Sequence, residues 1–101
     1  MKQYTNESQT AKLIELGLFP KHIKKISDGG KLLLECSGYS IGELIEMLPK
    51  EFDGELLEIA AVTLSRYKWV VRYPYGIIVY KNELVDALYD MVVKLKEEGV
   101  I

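Results

Sequence analysis

Gly38-Tyr39-Ser40-Ile41-Gly42 matches G-x-S-x-G, the pattern that presents a nucleophilic serine on a sharp turn between a strand and a helix. Such a serine needs an imidazole to take its proton and an acid to orient that imidazole. The chain holds one histidine, His22, and it precedes the serine, whereas hydrolases built on this turn place it after. The same five residues also read as a helix start. Ser40 caps, Glu43 three residues on completes a capping box, Tyr39 staples onto Leu44, and Gly38 turns the chain. Capping is the expected role of Ser40.

Other constellations have plain readings as well. Asp28-Gly29-Gly30-Lys31 has the Gly-Lys of a phosphate loop, but Lys25 stands where the first glycine belongs and Leu32 where a Ser or Thr would hold magnesium. A hairpin turn is expected there. His22 lies among Lys21, Lys24 and Lys25, a cationic setting that disfavours both its protonation and metal binding. Asp86 and Asp90 are spaced i, i+4, yet Asp90 also pairs at that spacing with Lys94, as on a solvated helix face. Cys36 has no second cysteine for a disulfide or a metal knuckle and reads as a small apolar residue. The expectation is a protein that is not an enzyme, with no catalytic residue, metal or cofactor.

Arg66-Tyr67-Lys68-Trp69-Val70-Val71-Arg72-Tyr73 interleaves cations with rings, the composition of a single-strand nucleic-acid platform. Period-2 geometry separates the two sets. Tyr67, Trp69, Val71 and Tyr73 share one face, expected to be the core; Arg66, Lys68, Val70 and Arg72 share the other. With Pro74-Tyr75 as a two-residue turn, Val70 falls opposite Val79 and Arg72 opposite Ile77 on the outward face. The preceding strand adds Leu57, Ile59 and Ala61 or their neighbours. That is more apolar surface than water usually covers. Arg66, Lys68 and Arg72, with the loop cluster Lys21, Lys24 and Lys25, form the candidate anion or partner surface.

The elements that position these residues follow from local signals. A helix over 7–16 is capped by Asn6 with Gln9, and ended by Gly17 with Leu18 folding back on Leu13. Strands over 23–27 and 31–37 flank the Asp28–Gly30 turn. A second helix opens at Ser40, buries Ile41, Leu44, Ile45 and Leu48, and stops at Pro49. Strands follow near 56–63, 67–73 and 76–80; a helix over 55–65 also fits Leu57, Ala60, Ala61 and Leu64, and the strand is preferred. The last helix runs over 83–98, capped by Asn82 and stopped by Gly99, with Leu84, Leu88, Val92 and Leu95 inward and Val100 folding onto Leu95. The fold class expected is α+β: an antiparallel sheet of about five strands packed with three helices, in the order α-ββ-α-βββ-α.

Gln9–Gly17, Tyr39–Pro49 and Glu83–Gly99 together resemble a family of short proteins of unknown function encoded in gut Bacteroides genomes and their prophages or phages. The match touches the three helices and both ends of the chain, and leaves the strands of 50–80 without a fixed pattern. The resemblance implies a small cytoplasmic protein of phage or mobile-element origin. It carries no activity and no site residues.

Composition sets the outer bounds. The 101 residues, 49% hydrophobic and 28% charged, fit one globular domain with a modest core. No apolar run approaches a membrane span and the N-terminus lacks a signal-peptide h-region, so a cytoplasmic protein is expected. The net charge of −2 exerts no global pull on polyanions, although 1–50 carries seven Lys against six acids and 51–101 six Lys or Arg against nine. Two functions remain as expectations. The first is an interaction protein whose partner is another protein or itself, through a sheet face or edge. The second is a nucleic-acid-associated accessory protein using the basic strand face.

Overall fold

The computed structural model describes residues 2–18, 24–28, 31–35, 38–63, 66–74 and 76–101, with 24–28 and 31–35 described by their backbone. Lys21, His22 and Cys36 lie outside the described residues.

Helix α1 (Glu7–Glu15) starts where its capping box predicts: Gln9 N–H donates to Asn6 Oδ1 at 2.8 Å, and Asn6 N–H to Gln9 Oε1 at 3.0 Å. Its end is a Schellman motif, with Leu18 N–H on the Leu13 carbonyl and Gly17, at φ 83°, on that of Ile14. The backbone of β1 (Lys24–Asp28) pairs antiparallel with β2 (Lys31–Glu35) as a hairpin, Asp28 opposite Lys31. Helix α2 (Ile41–Met47) follows its Ser40–Glu43 box, with both stapling partners, Tyr39 and Leu44, fully buried.

Two short strands come next, β3 (Glu51–Phe52) and β4 (Glu55–Leu56), paired across Asp53 and Gly54. Both turn residues have positive φ, 53° and 82°, as a tight hairpin turn of the primed kind requires. Strands β5 (Glu58–Ala61), β6 (Trp69–Arg72) and β7 (Ile78–Lys81) form an antiparallel sheet in that order. Helix α3 (Leu84–Glu97) closes the chain and packs on β6, β7 and α2. Its C-terminus repeats the ending of α1, with Val100 N–H on the Leu95 carbonyl and Gly99 on that of Lys96.

The fold is α+β, with three helices and the five longer strands in the expected order. Those strands divide between a two-stranded and a three-stranded sheet, with α2 between them in the chain. The core lies between α3 and the inner face of β5–β7, joined by Leu13, Tyr39 and Leu44 from the first half. Beside the four expected residues, α3 buries Val85, Ala87 and Met91, a stripe wide enough to meet both sheet and helix.

Several local expectations change, and Ile45, expected on the buried stripe of α2, is 37% exposed. The N-cap of α3 is Glu83, not Asn82, and no side chain caps it; the Glu83 carboxylate instead accepts the Lys2 backbone N–H at 3.0 Å. The turn between β6 and β7 has three residues, 74–76, not two. Gly76 N–H closes it on the Tyr73 carbonyl at 2.7 Å, and Tyr73 N–H meets the Ile77 carbonyl at 3.1 Å. The extra residue shifts the register, so Val70 faces Tyr80 and Arg72 faces Ile78, while Val79 joins Val71 on the core side. On the first strand, Leu57 and Ile59 turn toward the core, leaving Glu58 and Ala60 outward. Finally, Tyr67 does not follow the core face. The strand begins only at Trp69, so strand alternation does not reach Tyr67, which is 37% exposed.

Candidate functional site

The outward face of β5–β7 is built by cross-strand rows. Glu58, Arg72 and Ile78 form one row; Ala60, Val70 and Tyr80 form the next. Val70 is the centre of the face. It is only 5% exposed, yet it stands apart from the core cluster, so its cover comes from this side of the sheet. Ile78 and Tyr80 are 41% and 42% exposed. A shallow groove of about 340 Å³ runs over this surface, lined by Ala60, Val62, Val70, Arg72 and Tyr80 among others.

Of the three candidate cations of this segment, Arg72 lines the groove, and Arg66 and Lys68 precede β6. Arg72 Nε donates to Glu58 Oε2 at 2.7 Å, a pair directly opposite across β5 and β6. Arg66 is exposed and holds its guanidinium carbon 6.0 Å from the centroid of the Tyr67 ring, at the outer limit of a cation–π contact. Lys68 is exposed, and its carbonyl accepts the Val62 N–H at 2.8 Å, closing the β5–β6 connection. Lys24 and Lys25 occupy β1, opposite Glu35 and Leu34, on the other sheet. The structure therefore places Arg72 opposite Glu58 at one end of β6, Arg66 and Lys68 in the segment before its other end, and Lys24 and Lys25 on a separate element; Lys21 lies outside the described residues.

Two aromatic residues of this surface escaped the sequence reading. Tyr80 enters it through the three-residue turn, and Tyr67 leans on Tyr80 with centroids 6.4 Å apart and planes 31° from each other. The rings and cations that strand alternation would separate thus meet at one end of the sheet. The signal that could have found Tyr80 was Gly76, which makes a three-residue loop as natural as a two-residue one.

The other sequence candidates have structural partners. Ser40 Oγ accepts the Glu43 N–H at 3.1 Å and Glu43 Oε1 accepts the Ser40 N–H at 3.1 Å, so the serine of the G-x-S-x-G match is a helix cap. Asp86 Oδ1 accepts from Lys2 Nζ at 2.7 Å and from Gln9 Nε2 at 2.8 Å, tying the N-terminal segment and α1 to α3. Burial pushes the Asp86 carboxyl up, but these two hydrogen bonds and the Lys2 charge outweigh it and leave it below the usual value. Asp90 pairs with Lys81 at 3.1 Å across to β7 rather than with Lys94, and this hydrogen bond raises the Lys81 ammonium above its usual value. A wider concavity of about 490 Å³ beside α1 is lined by Thr5, Asn6 and Thr10, whose polar groups are already engaged. The two threonine hydroxyls bond each other at 2.7 Å, and Asn6 caps the helix.

No protein-family model, curated protein or solved structure matches the chain. Among the described residues no helix is long and apolar enough to cross a membrane. The surface chemistry of the outward face is accordingly the guide to function.

Proposed function

We propose that the chain is a non-enzymatic protein-interaction module that self-associates through the outward face of β5–β7. The observation that carries this reading is the second row of the face, where buried Val70 is flanked by exposed Ala60 and Tyr80. Apolar side chains centred in a face and rimmed by charge are what an interface core requires. Burial of one such side chain stabilises by roughly 1.5–3 kcal/mol, so a partner gains most by covering Tyr80 and Ile78.

Sedimentation velocity from micromolar to millimolar protein tests the reading. A concentration-dependent rise in sedimentation coefficient that Tyr80→Glu abolishes is expected; a monomer of 11.5 kDa at every concentration would remove it.

A second reading has its own observation: Tyr67 and Tyr80 meet beside Arg66, the local makings of a platform for single-stranded nucleic acid. Two features weigh against it. Arg72 is already committed to Glu58, and the segment leading into β5 brings Glu51, Asp53 and Glu55. Titration of a labelled single-stranded oligonucleotide across salt discriminates. Binding with a steep inverse salt dependence favours nucleic acid, and its absence at low salt removes that reading.

A further inference from the structure

Strand β7 lies at an edge of its sheet, and its open backbone groups and exposed side chains fall on the same residues. Tyr73 N–H bonds the Ile77 carbonyl, so the hydrogen-bonded pairs of β6 with β7 are Val71 with Val79 and Trp69 with Lys81. The Val62 N–H on the Lys68 carbonyl turns the alternate residues of β6 toward β5, in agreement. The N–H and C=O groups of Ile78 and Tyr80 therefore point away from the sheet, and among the described residues no group bonds them. These two residues also carry the exposed large apolar side chains of the three-stranded sheet, on its outward face. Edges are commonly guarded by a charge. The charge on β7, Lys81, is instead turned to Asp90 at 3.1 Å. The opposite edge, β5, has no such apolar pair: its outward residues are Glu58, bound to Arg72, and Ala60.

We infer that a second copy of this chain adds its own β7 to this edge, antiparallel, about a two-fold axis that passes beside Val79 perpendicular to the sheet. This rests on the proposed self-association and narrows it to the β7 side of the face. The open groups set the register. With Ile78 opposite the partner's Tyr80, and Tyr80 opposite the partner's Ile78, every open N–H and C=O of both strands is used. Shifted two residues one way, Tyr80 faces its own counterpart and Ile78 faces the partner's Asn82, beyond the strand. Shifted the other way, Ile78 faces its counterpart and Tyr80 faces the partner's Gly76, in the turn. Directly opposed residues share a face, so each Tyr80 ring lies against an Ile78 side chain, an aromatic–β-branched pair made twice. The side chains that each monomer leaves to water thus cover each other, and the isologous contact closes at two copies. Helix α3 packs on β6 and β7 alike, so it and its counterpart lie about 10 Å apart across the axis, the spacing of packed helices. The contact is small: the four residues of β7 span only about 13 Å. A stable dimer commonly buries about 800 Å² per partner. The association is therefore weak and exchanges rapidly.

The test follows amide hydrogen exchange by NMR in the full chain, from micromolar to millimolar protein, beside sedimentation velocity. In dilute protein Val79, bonded to Val71, should exchange slowly and Ile78 and Tyr80 fast. The expected result is that Ile78 and Tyr80 gain protection as concentration rises, in step with the sedimentation coefficient, because each N–H then has an acceptor. Packing of the outward faces alone would bury side chains and leave these N–H groups without one. Two variants separate backbone from side chain. Ile78→Ala shortens the side chain and keeps the N–H. Ile78→Pro removes an N–H that the ladder to β6 does not use, a change that an edge strand tolerates. Circular dichroism first confirms the fold of each; should Ile78→Pro not fold, the amides of wild type decide alone. Ile78→Pro should weaken self-association at least about tenfold relative to Ile78→Ala. If wild type associates while both amides stay as unprotected as in dilute protein, edge pairing is overturned and the use of the face stands. The same holds if the two variants associate equally. If wild type is a monomer throughout, because the edge meets a different protein or only water, both fall.

Discussion

Gly38 shows how one residue can be demanded by two constraints at once. Its φ of 104° belongs to the left-handed side, and a Cβ built there would lie 2.5 Å from the Thr5 carbonyl oxygen. That carbonyl belongs to a strand-like crossing in which Thr5 N–H bonds the Tyr39 carbonyl at 3.0 Å and Tyr39 N–H bonds Thr5 Oγ1 at 2.9 Å. Neither side can retreat without breaking those bonds. Gly38→Ala should therefore destabilise the fold by about 3 kcal/mol, read from the midpoint of urea unfolding; a loss under about 1 kcal/mol would show that the crossing yields. Two residues on, Ser40→Ala removes one accepted hydrogen bond at a helix start and should cost about 1 kcal/mol. Restoration of most of that loss by Ser40→Asp, but not by Ser40→Val, would identify the loss as that of a cap.

Among the elements, helix boundaries were legible because their signals are local. Asn6 with Gln9, Ser40 with Glu43, and the glycines at 17 and 99 each bond within a few residues of themselves. The start of α3 was not, because its first turn is organised from across the molecule: Lys2, more than eighty residues away, takes up Glu83 and Asp86. Sheet register was legible only to the nearest residue. One more residue in the 74–76 turn exchanged Val79 for Tyr80 on the outward face, and with it the character of the candidate site. The Lys2–Gln9–Asp86 junction also makes a pH prediction. Since folding lowers the Asp86 carboxyl, its stabilising effect is present above the ordinary carboxylate pKa and is lost as pH falls through the lowered folded value. Asp86→Asn should flatten the decline of the unfolding midpoint below about pH 4 and lower the midpoint at pH 7. An unchanged acid limb in the variant would show that the junction contributes nothing to pH dependence.

Across the described residues, α3 packs on one side of β6 and β7, while on the other side Ile78 and Tyr80 are 41% and 42% exposed. A monomer gains nothing from holding Ile78 and Tyr80 in water, and a dimer that buries them gains stability in proportion to how much dimer forms. Mass action then makes the melting temperature depend on protein concentration, since whatever binds only the folded chain shifts its apparent stability. At a hundred times the dissociation constant the shift is worth about 2.7 kcal/mol, or very roughly 10–20 °C for a domain of this size. The weak association expected of so small a face reaches that regime only at the highest concentrations, so the rise should be a few degrees between micromolar and millimolar protein. Tyr80→Glu should remove the rise and leave the dilute melting temperature within about 2 °C of wild type, because a ring that is 42% exposed contributes little to the monomer. A melting temperature that stays constant over the same range in wild type would show that the face meets only water.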